Sequence, residues 1–98
     1  MDDWRFLTKH AHALLFIARE PNSRLRDIAD ALGVTERTAY GIVADLSQAG
    51  YVEKEREGRR NVYHIQSDMP VRDEVGQHRA IGELLGLFLD SAESEGHS

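Results

Sequence analysis

The chain has 98 residues, of which 41% are apolar, so we expect one small domain with a modest core. It has no cysteine, which excludes a disulfide, a thiolate zinc site and a thiol redox switch. No run of about eighteen apolar residues is present, and the acidic start MDDWRF is unlike a secretory signal. These features predict a soluble, cytoplasmic protein.

The formal net charge of −5 is unevenly distributed along the chain. Residues 1–65 hold ten acidic and ten basic side chains, whereas residues 66–98 hold seven acidic and two basic ones. The acidic excess therefore lies in the last third. Four basic residues cluster around one turn, and they are Lys54, Arg56, Arg59 and Arg60. Such a local positive edge is compatible with an anionic partner in spite of the net charge.

A first helix is predicted at about residues 8–19. Thr8 suits its N-cap, and Pro21 with the polar residues after it ends the helix. Its apolar stripe consists of Ala11, Leu14, Leu15 and Ala18. His10 and His12 are two positions apart and point to different sides of the helix, so we expect no metal site here.

A second helix at about residues 25–32 and a third at residues 35–49 are separated by a turn at Gly33, and together they form a helix-turn-helix unit. The second helix has no Ser or Thr cap, although Asp27 in its first turn suits the helix dipole. The third helix is delimited by Thr35 as N-cap and Gly50 as the left-handed residue after its end. Its buried stripe is Ala39, Ile42, Val43, Leu46 and Ala49.

The third helix leaves one face free near its start. That face combines a guanidinium, hydroxyl groups and a small residue that permits close approach, and it consists of Glu36, Arg37, Thr38, Tyr40 and Gly41. Such a surface is suited to reading base edges. The alternative is an ordinary amphipathic helix with a solvated face. Arg24 and Arg26, at the start of the second helix, either contact phosphate or are solvated.

Residues 51–57 and 61–66 have β character and are joined by a turn at residues 58–60. The packed positions are Val52, Tyr63 and Ile65. Along the first strand, acidic residues alternate with basic ones in the order Glu53, Lys54, Glu55, Arg56 and Glu57. This alternation places one sign of charge on each face of the hairpin, so its basic face is suited to a phosphate backbone. The alternative is a charged hairpin that is merely solvated.

This order of elements is that of a winged helix, in which the hairpin is the wing. The segment TERTAYGIVADLSQAGYVEKEREGRRNVYHI resembles bacterial and archaeal winged-helix repressors. It is most similar to the arsenical-resistance repressor (ArsR-like) family and more distantly to the multiple-antibiotic-resistance regulator (MarR-like) family. The matching features are DIADALGVT, AG-Y-V and REGRRNVYHI, within about residues 24–65.

Two features of metal-sensing members of the ArsR-like family are missing. Their paired cysteines have no counterpart, and Arg24 and Arg26 stand in that neighbourhood instead. Where the last helix would carry another metal site, only His78 stands among acidic residues, which are Asp73, Glu74 and Glu83. The resemblance therefore implies DNA binding and does not imply metal sensing, and we expect no cofactor.

The resemblance implies a homodimeric regulator of transcription, acting as a repressor on an inverted repeat of double-stranded DNA. The third helix would be its recognition helix, with Arg37 the best candidate for a bidentate contact to guanine. The full predicted DNA-binding set is Arg24, Thr35, Arg37, Thr38, Tyr40, Gly41, Lys54, Arg56, Arg59, Arg60 and Asn61. No phosphate loop or catalytic triad is recognisable, so we expect no enzymatic activity. The alternative function is a winged helix that contacts protein and does not bind DNA.

A fourth helix is predicted over residues 70–90 with Pro70 in its first turn, and the polar residues 91–98 are expected to be disordered. Its apolar stripe is too large for one subunit to cover, and the resemblance suggests a dimerisation helix with Phe6 or Trp4 as a neighbour. The predicted interface set is Trp4, Val75, His78, Ile81, Gly82, Leu84, Leu85, Phe88 and Leu89. Gly82 and Gly86 would allow two helices to approach closely. The alternative is that this helix closes the core of the monomer.

A small-molecule effector would bind between the first and fourth helices. Trp4, His10 and His78 offer a mixed polar and aromatic lining there, which is equally compatible with ordinary packing.

Overall fold

The computed structural model describes residues 6–71 and 79–97, with side chains described up to residue 89. Its elements are α1 (Lys9–Arg19), α2 (Leu25–Leu32), α3 (Glu36–Gln48), β1 (Val52–Glu57), β2 (Arg60–Ile65) and α4 (Ile81–His97). This order confirms the predicted fold class, a mainly α winged helix-turn-helix with a small β hairpin and an added C-terminal helix.

The first three helices begin and end within about one residue of their predicted limits because local signals set them. The Thr8 hydroxyl accepts the Ala11 N–H at 3.1 Å at the start of α1. At the start of α2, the Arg24 N–H donates to the Asp27 carboxylate at 2.9 Å, which supplies the cap that no hydroxyl residue provides. Gly33 has φ +70°, as the turn between α2 and α3 requires.

The core lies where α1, α2, α3 and the start of α4 meet. Ile17 of α1 and Ile28 of α2 are its largest fully buried side chains, and burying each contributes about 1.5–3 kcal/mol. Four of the five stripe positions of α3 are buried as predicted, namely Ala39, Ile42, Val43 and Leu46. The stripe turns α3 so that its opposite face is exposed.

The wing is an antiparallel pair in which each face carries alternate residues. Val52, Lys54 and Arg56 pair with Ile65, Tyr63 and Asn61 on one face. Glu53, Glu55 and Glu57 pair with His64, Val62 and Arg60 on the other. The turn has two residues, Gly58-Arg59, and Gly58 at φ +63° matches the positive φ of a type II′ hairpin turn. Arg60 therefore belongs to β2 rather than to the turn.

The chain between the wing and α4 differs from the prediction. Pro70 is not in a helix but forms an antiparallel bridge with Ala80. The Val71 N–H donates to the Arg79 carbonyl at 2.8 Å, and the Ile81 N–H donates to the Met69 carbonyl at 2.6 Å. These extended pairings satisfy backbone groups that a helix from residue 70 would use, so α4 begins at Ile81.

The far end of α4 also differs from the prediction, because helix extends to His97 where disorder was expected in residues 91–98. The segment SAESEGH contains no proline to interrupt the helix.

Part of the apolar stripe of α4 packs within the subunit. Ile81 and Leu85 are buried in the core, and α4 packs against α1. A Cβ at Gly82 would lie 2.8 Å from the Ser67 Cβ, so this glycine permits a close approach within the chain rather than between two helices. Ile81 and Leu85 therefore behave as the alternative predicts, in which the fourth helix closes the core of the monomer. Phe88 and Leu87 remain exposed.

Candidate nucleic-acid interface

The free face of α3 consists of exposed side chains, as the sequence predicts. Glu36, Arg37, Thr38, Tyr40 and Gly41 are all exposed. Arg37 and Gly41 are four residues apart and so lie on one line of the helix, directed away from the buried stripe. Within the described part of the chain, Arg37 has no hydrogen bond or ion pair that would withdraw it from a ligand.

The hydroxyl of Thr35 is committed to capping α3. It accepts the Thr38 N–H at 3.1 Å and donates to the Thr38 hydroxyl at 3.1 Å. The groups left to donate outward are the N–H groups of Glu36 and Arg37, which a helix leaves unpaired in its first turn, and the Thr38 hydroxyl. Thr35 therefore orients the start of α3, and Thr38 offers the outward hydroxyl.

A groove of about 830 Å³ separates α3 from the wing. Its walls include six predicted DNA-binding residues, which are Arg24, Tyr40, Lys54, Arg59, Arg60 and Asn61. Val43, Val52 and Tyr63 contribute apolar surface, and Glu53 contributes one carboxylate. The structure thus brings together cations from α2, from the strands and from the turn that are up to 36 positions apart in sequence. Arg37, Thr38, Gly41 and Arg56 lie outside this groove.

The four basic residues of the wing differ in their hydrogen bonds. Arg56 donates from Nε to the Gly58 carbonyl at 3.1 Å. Arg60 donates from Nη2 to the backbone carbonyl of Asn22, in the turn between α1 and α2. Lys54 and Arg59 have no such partner within the described residues. Of these four wing residues, Lys54 and Arg59 are therefore the ones whose cations are unengaged within the described residues.

Tyr63 stands opposite Lys54 on the basic face of the wing and borders the groove. Burial raises the pKa of its hydroxyl above the ordinary value of 10.0, because the low-dielectric surroundings disfavour the phenolate. A tyrosine hydroxyl is neutral at physiological pH even at its ordinary pKa, so Tyr63 adds no negative charge to the groove, and the upward shift extends this to more alkaline pH.

Two side chains of α1 hold the helix-turn-helix unit, and the sequence analysis did not find them. His10 Nε2 lies 2.8 Å from Asp45 Oδ2 of α3, and Lys9 Nζ donates to the Leu32 carbonyl at the end of α2 at 3.3 Å. His64 and Glu55 form a similar pair at 2.7 Å on the acidic face of the wing. The partners of His10 and Lys9 are distant in sequence, so no local pattern indicates them.

The space predicted for an effector has a different lining from the one expected. A cavity of about 460 Å³ lies between α1, β2 and α4, and His10 faces α3 instead of this cavity. Its lining is mixed: Ile17, Ile65, Leu85 and Leu89 contribute apolar surface, and His64 and Ser67 contribute polar atoms. Trp4, Val75 and His78 lie outside the described residues.

Neither a metal site nor a membrane span is found in the described part of the chain. No group of three or more His, Cys, Asp and Glu side chains there is arranged to hold a metal ion. None of its helices is both long enough and apolar enough to cross a bilayer.

A helix-turn-helix whose exposed face adjoins a groove bordered by wing cations defines a winged helix-turn-helix protein. The sequence profile of the MarR family matches residues 7–60, which is more than half of the chain, and the chain belongs to this family. The MarR-like resemblance, placed second in the sequence analysis, is thus the one supported, and membership of the ArsR-like family is not.

Among solved structures, the fold is similar to that of MepR, a transcription regulator of the Staphylococcus aureus multidrug efflux pump MepA. The TM-score is 0.58 and the sequence identity is 18%, which shows a shared fold. The match covers 90% of this chain and 61% of MepR, so this chain spans less than two thirds of that protein's length. No curated protein matches the sequence.

Proposed function

We propose that this protein is a regulator of transcription that binds double-stranded DNA with α3 in the major groove and the wing on the flanking backbone. The observation that carries this proposal is the groove between α3 and the wing, where Arg24, Lys54 and Arg59 meet beside the free face of α3. Membership of the MarR family supports it. MepR, which has a similar fold, is a transcription regulator, and this supports the proposal.

Arg37 and Gly41 suggest how α3 would meet the DNA. Arg37 is exposed and unengaged among the described residues, so its fork of N–H donors is available for O6 and N7 of a guanine. Gly41 is exposed with no atom within 4 Å of a Cβ placed on it, so nothing in the described protein requires glycine here. Close approach of a ligand to this face accounts for it. Thr38 and Tyr40 flank this line and would contact bases or phosphates.

The wing and the start of α2 would supply affinity more than sequence choice. Lys54, Arg59 and Arg24 border the groove and would neutralise phosphates, while Asn61 adds a neutral donor. Arg56, whose Nε is engaged by the Gly58 carbonyl, retains its terminal N–H groups for a phosphate near the wing tip.

The protein would act as a homodimer, as a repressor on an inverted repeat, in the cytoplasm. Two-fold symmetry then predicts half-sites about 34 Å apart, which is one turn of DNA. The dimer contact would use the exposed Leu87 and Phe88 of α4, with the half-buried Leu84 and Leu89 beside them, together with the predicted Trp4, Val75 and His78. An effector, if the protein has one, would bind in the 460 Å³ cavity beside α4.

The first test is capture of genomic duplex fragments by the purified protein at two salt concentrations, followed by sequencing of the retained DNA. We expect a common inverted repeat and a steep loss of affinity with added salt. Arg37→Ala should weaken binding to that site by about 1–3 kcal/mol and relax one base position in each half-site. Arg79→Ala, at an exposed position beside α4, is the control and should leave binding unchanged. An unaltered affinity of Arg37→Ala would remove α3 from its recognition role.

The acidic face of the wing favours a second candidate. Glu53, Glu55 and Glu57 are exposed on one face, and the whole chain is acidic, which suits a basic protein partner better than DNA. In that case the folded protein would retain no duplex even at low salt, and its affinity for the basic partner would fall as salt is added.

A further inference from the structure

Arg60 differs from the other cations of the wing in where its side chain goes. It is the first residue of β2 and pairs with Glu57, yet its guanidinium reaches the Asn22 carbonyl, 38 positions earlier in the chain. Lys54 and Arg59, which border the same groove, make no hydrogen bond within the described residues. One terminal nitrogen of Arg60 is therefore already bound to the protein, and this hydrogen bond directs the guanidinium toward the turn between α1 and α2.

The turn between α1 and α2 runs beside β2, and two hydrogen bonds join them. The Arg60 side chain is one, and the Tyr63 N–H, which donates to the Pro21 carbonyl at 3.4 Å, is the other. Between these two points Val62 is only 8% exposed, although Glu55 opposite it is exposed. The β2 side of the acidic face is thus covered at Val62, while the β1 side at Glu55 stays exposed.

Arg60 is the attachment nearer to the tip of the wing. Beyond it the hairpin has only the β1–β2 pairing and a two-residue turn, and an isolated two-stranded hairpin is marginally stable in water. Without the Arg60 hydrogen bond, the half of the wing that carries Arg59 would extend beyond Val62 and Tyr63, the buried residues of β2.

We propose that Arg60 is a positioning residue that fastens the wing to the α1–α2 turn, and that it does not contact phosphate. It fixes the angle between the wing and α3, and so the place at which Lys54 and Arg59 meet the DNA backbone. This inference rests on the proposed DNA binding. Arg60, which the sequence predicts to contact DNA, would then hold the wing in place without contacting phosphate itself.

Salt dependence separates a phosphate contact from a positioning role. A phosphate contact releases counterions, and its loss lowers the slope of log K against log salt by about one. Ordering a loosened wing costs free energy that does not depend on salt, because the bound wing still reaches the same phosphates. The two roles therefore predict different slopes for an equal loss of affinity.

The experiment compares wild type, Arg60→Ala and Arg59→Ala on the selected operator over a series of salt concentrations. We expect each variant to bind about tenfold more weakly at one fixed salt concentration. The slope should fall by about one in Arg59→Ala and stay at the wild-type value in Arg60→Ala. A slope that falls equally in both variants would make Arg60 a phosphate contact and overturn the proposal.

A second measurement does not require DNA. Backbone amide relaxation of the free protein should show greater nanosecond mobility at residues 56–60 in Arg60→Ala and wild-type mobility in Arg59→Ala. Equal order in both variants would overturn the positioning role even if DNA binding holds. If wild type binds no DNA, the proposed function fails, while mobility confined to Arg60→Ala still supports the attachment of the wing.

Discussion

Replacement of Gly41 should change the stability of α3 and its proposed DNA binding in opposite directions. It lies within the helix on the exposed face, where glycine costs about 0.5–1 kcal/mol relative to alanine. A Cβ there meets no atom within 4 Å, so Gly41→Ala should raise the free energy of unfolding by about that amount. In the proposed complex the added methyl group faces the DNA, and we expect operator affinity to fall about tenfold. Urea denaturation and operator titration measure the two effects.

The matched control for Gly41→Ala is the opposite substitution, alanine to glycine, at a helix position outside the proposed interface. Ala31 is exposed on α2, and Ala31→Gly should lower stability by about 0.5–1 kcal/mol with operator affinity unchanged. If Gly41→Ala gains stability and keeps full operator affinity, no ligand approaches α3 closely at this residue.

Tyr63 gives the protein a stability change at alkaline pH. Its pKa is raised in the folded state by burial, so the folded protein retains a proton that the unfolded chain loses as pH rises above about 10. The contribution of this hydroxyl to the free energy of unfolding is fully present below its pKa in the unfolded chain. It is lost as pH rises through its pKa in the folded protein. Tyr63→Phe should therefore show a smaller loss of stability between about pH 9 and 11 than wild type, measured by urea denaturation.

Tyr40→Phe is the control for this measurement, because it removes an exposed hydroxyl from the same groove. Comparison of the Tyr40→Phe and Tyr63→Phe denaturation curves isolates the part of the alkaline loss that belongs to the buried hydroxyl. An identical alkaline loss in wild type and Tyr63→Phe would mean that other groups account for all of it.

At the scale of elements, α4 is fastened to the segment that follows the wing. The Gly82 N–H donates to the Ser67 carbonyl at 2.9 Å, and a Cβ on Gly82 would lie 2.8 Å from the Ser67 Cβ and 3.1 Å from its carbonyl oxygen. Gly82→Ala should therefore lower the free energy of unfolding by about 1–3 kcal/mol through overpacking. Ser67→Gly removes the nearer of these contacts and should restore part of the loss, as denaturation at a fixed protein concentration would show. Additive destabilisation by the two changes would contradict this packing.

Elements set by local chemistry could be predicted from the sequence, and those set by distant contacts could not. Thr8, Thr35, Gly33 and Gly50 act on neighbouring backbone groups, and they fix the limits of α1 to α3. Pro70 is equally suited to a helix start and to an extended bridge, and only its pairing with Ala80 decides between them.

The same distinction applies to the candidate site. The exposed face of α3 follows from its apolar period, so Arg37, Tyr40 and Gly41 could be found by pattern alone. The hydrogen bond of Arg60 joins residues far apart in sequence and is satisfied by a backbone carbonyl, which carries no sequence signal. An arginine or lysine in the sequence therefore predicts an anion-binding site, but the sequence does not show whether that side chain is already hydrogen-bonded within the protein.

At the scale of the whole molecule, the positive charge that would face DNA is local. The groove gathers Arg24, Lys54, Arg59 and Arg60 from a chain whose net charge is −5, and the acidic excess lies after residue 65. Because exposed charges are screened beyond about 8–10 Å at physiological salt, the acidic C-terminal part opposes DNA binding mainly at low ionic strength. Affinity should consequently depend on the few wing and α2 cations rather than on the sum of charges.

Two large apolar side chains of α4 are left exposed in one copy of the described chain. Leu87 is 71% exposed and Phe88 is 45% exposed, whereas Ile81 and Leu85 on the same helix are buried. Covering Leu87 and Phe88 with the same surface of a second copy would bury this face, as a two-fold dimer requires. Leu87→Glu should then produce a folded monomer, because the carboxylate would be desolvated in the dimer contact.

Sedimentation equilibrium and operator titration check this expectation together. Leu87→Glu should sediment as a monomer and keep its helical circular dichroism. It should bind one half-site far more weakly than wild type binds the inverted repeat, because a monomer cannot occupy both half-sites at once. Gln66→Glu adds the same charge at an exposed position outside α4 and should remain a dimer. A dimer that persists unchanged in Leu87→Glu would place the two-fold contact elsewhere on the chain.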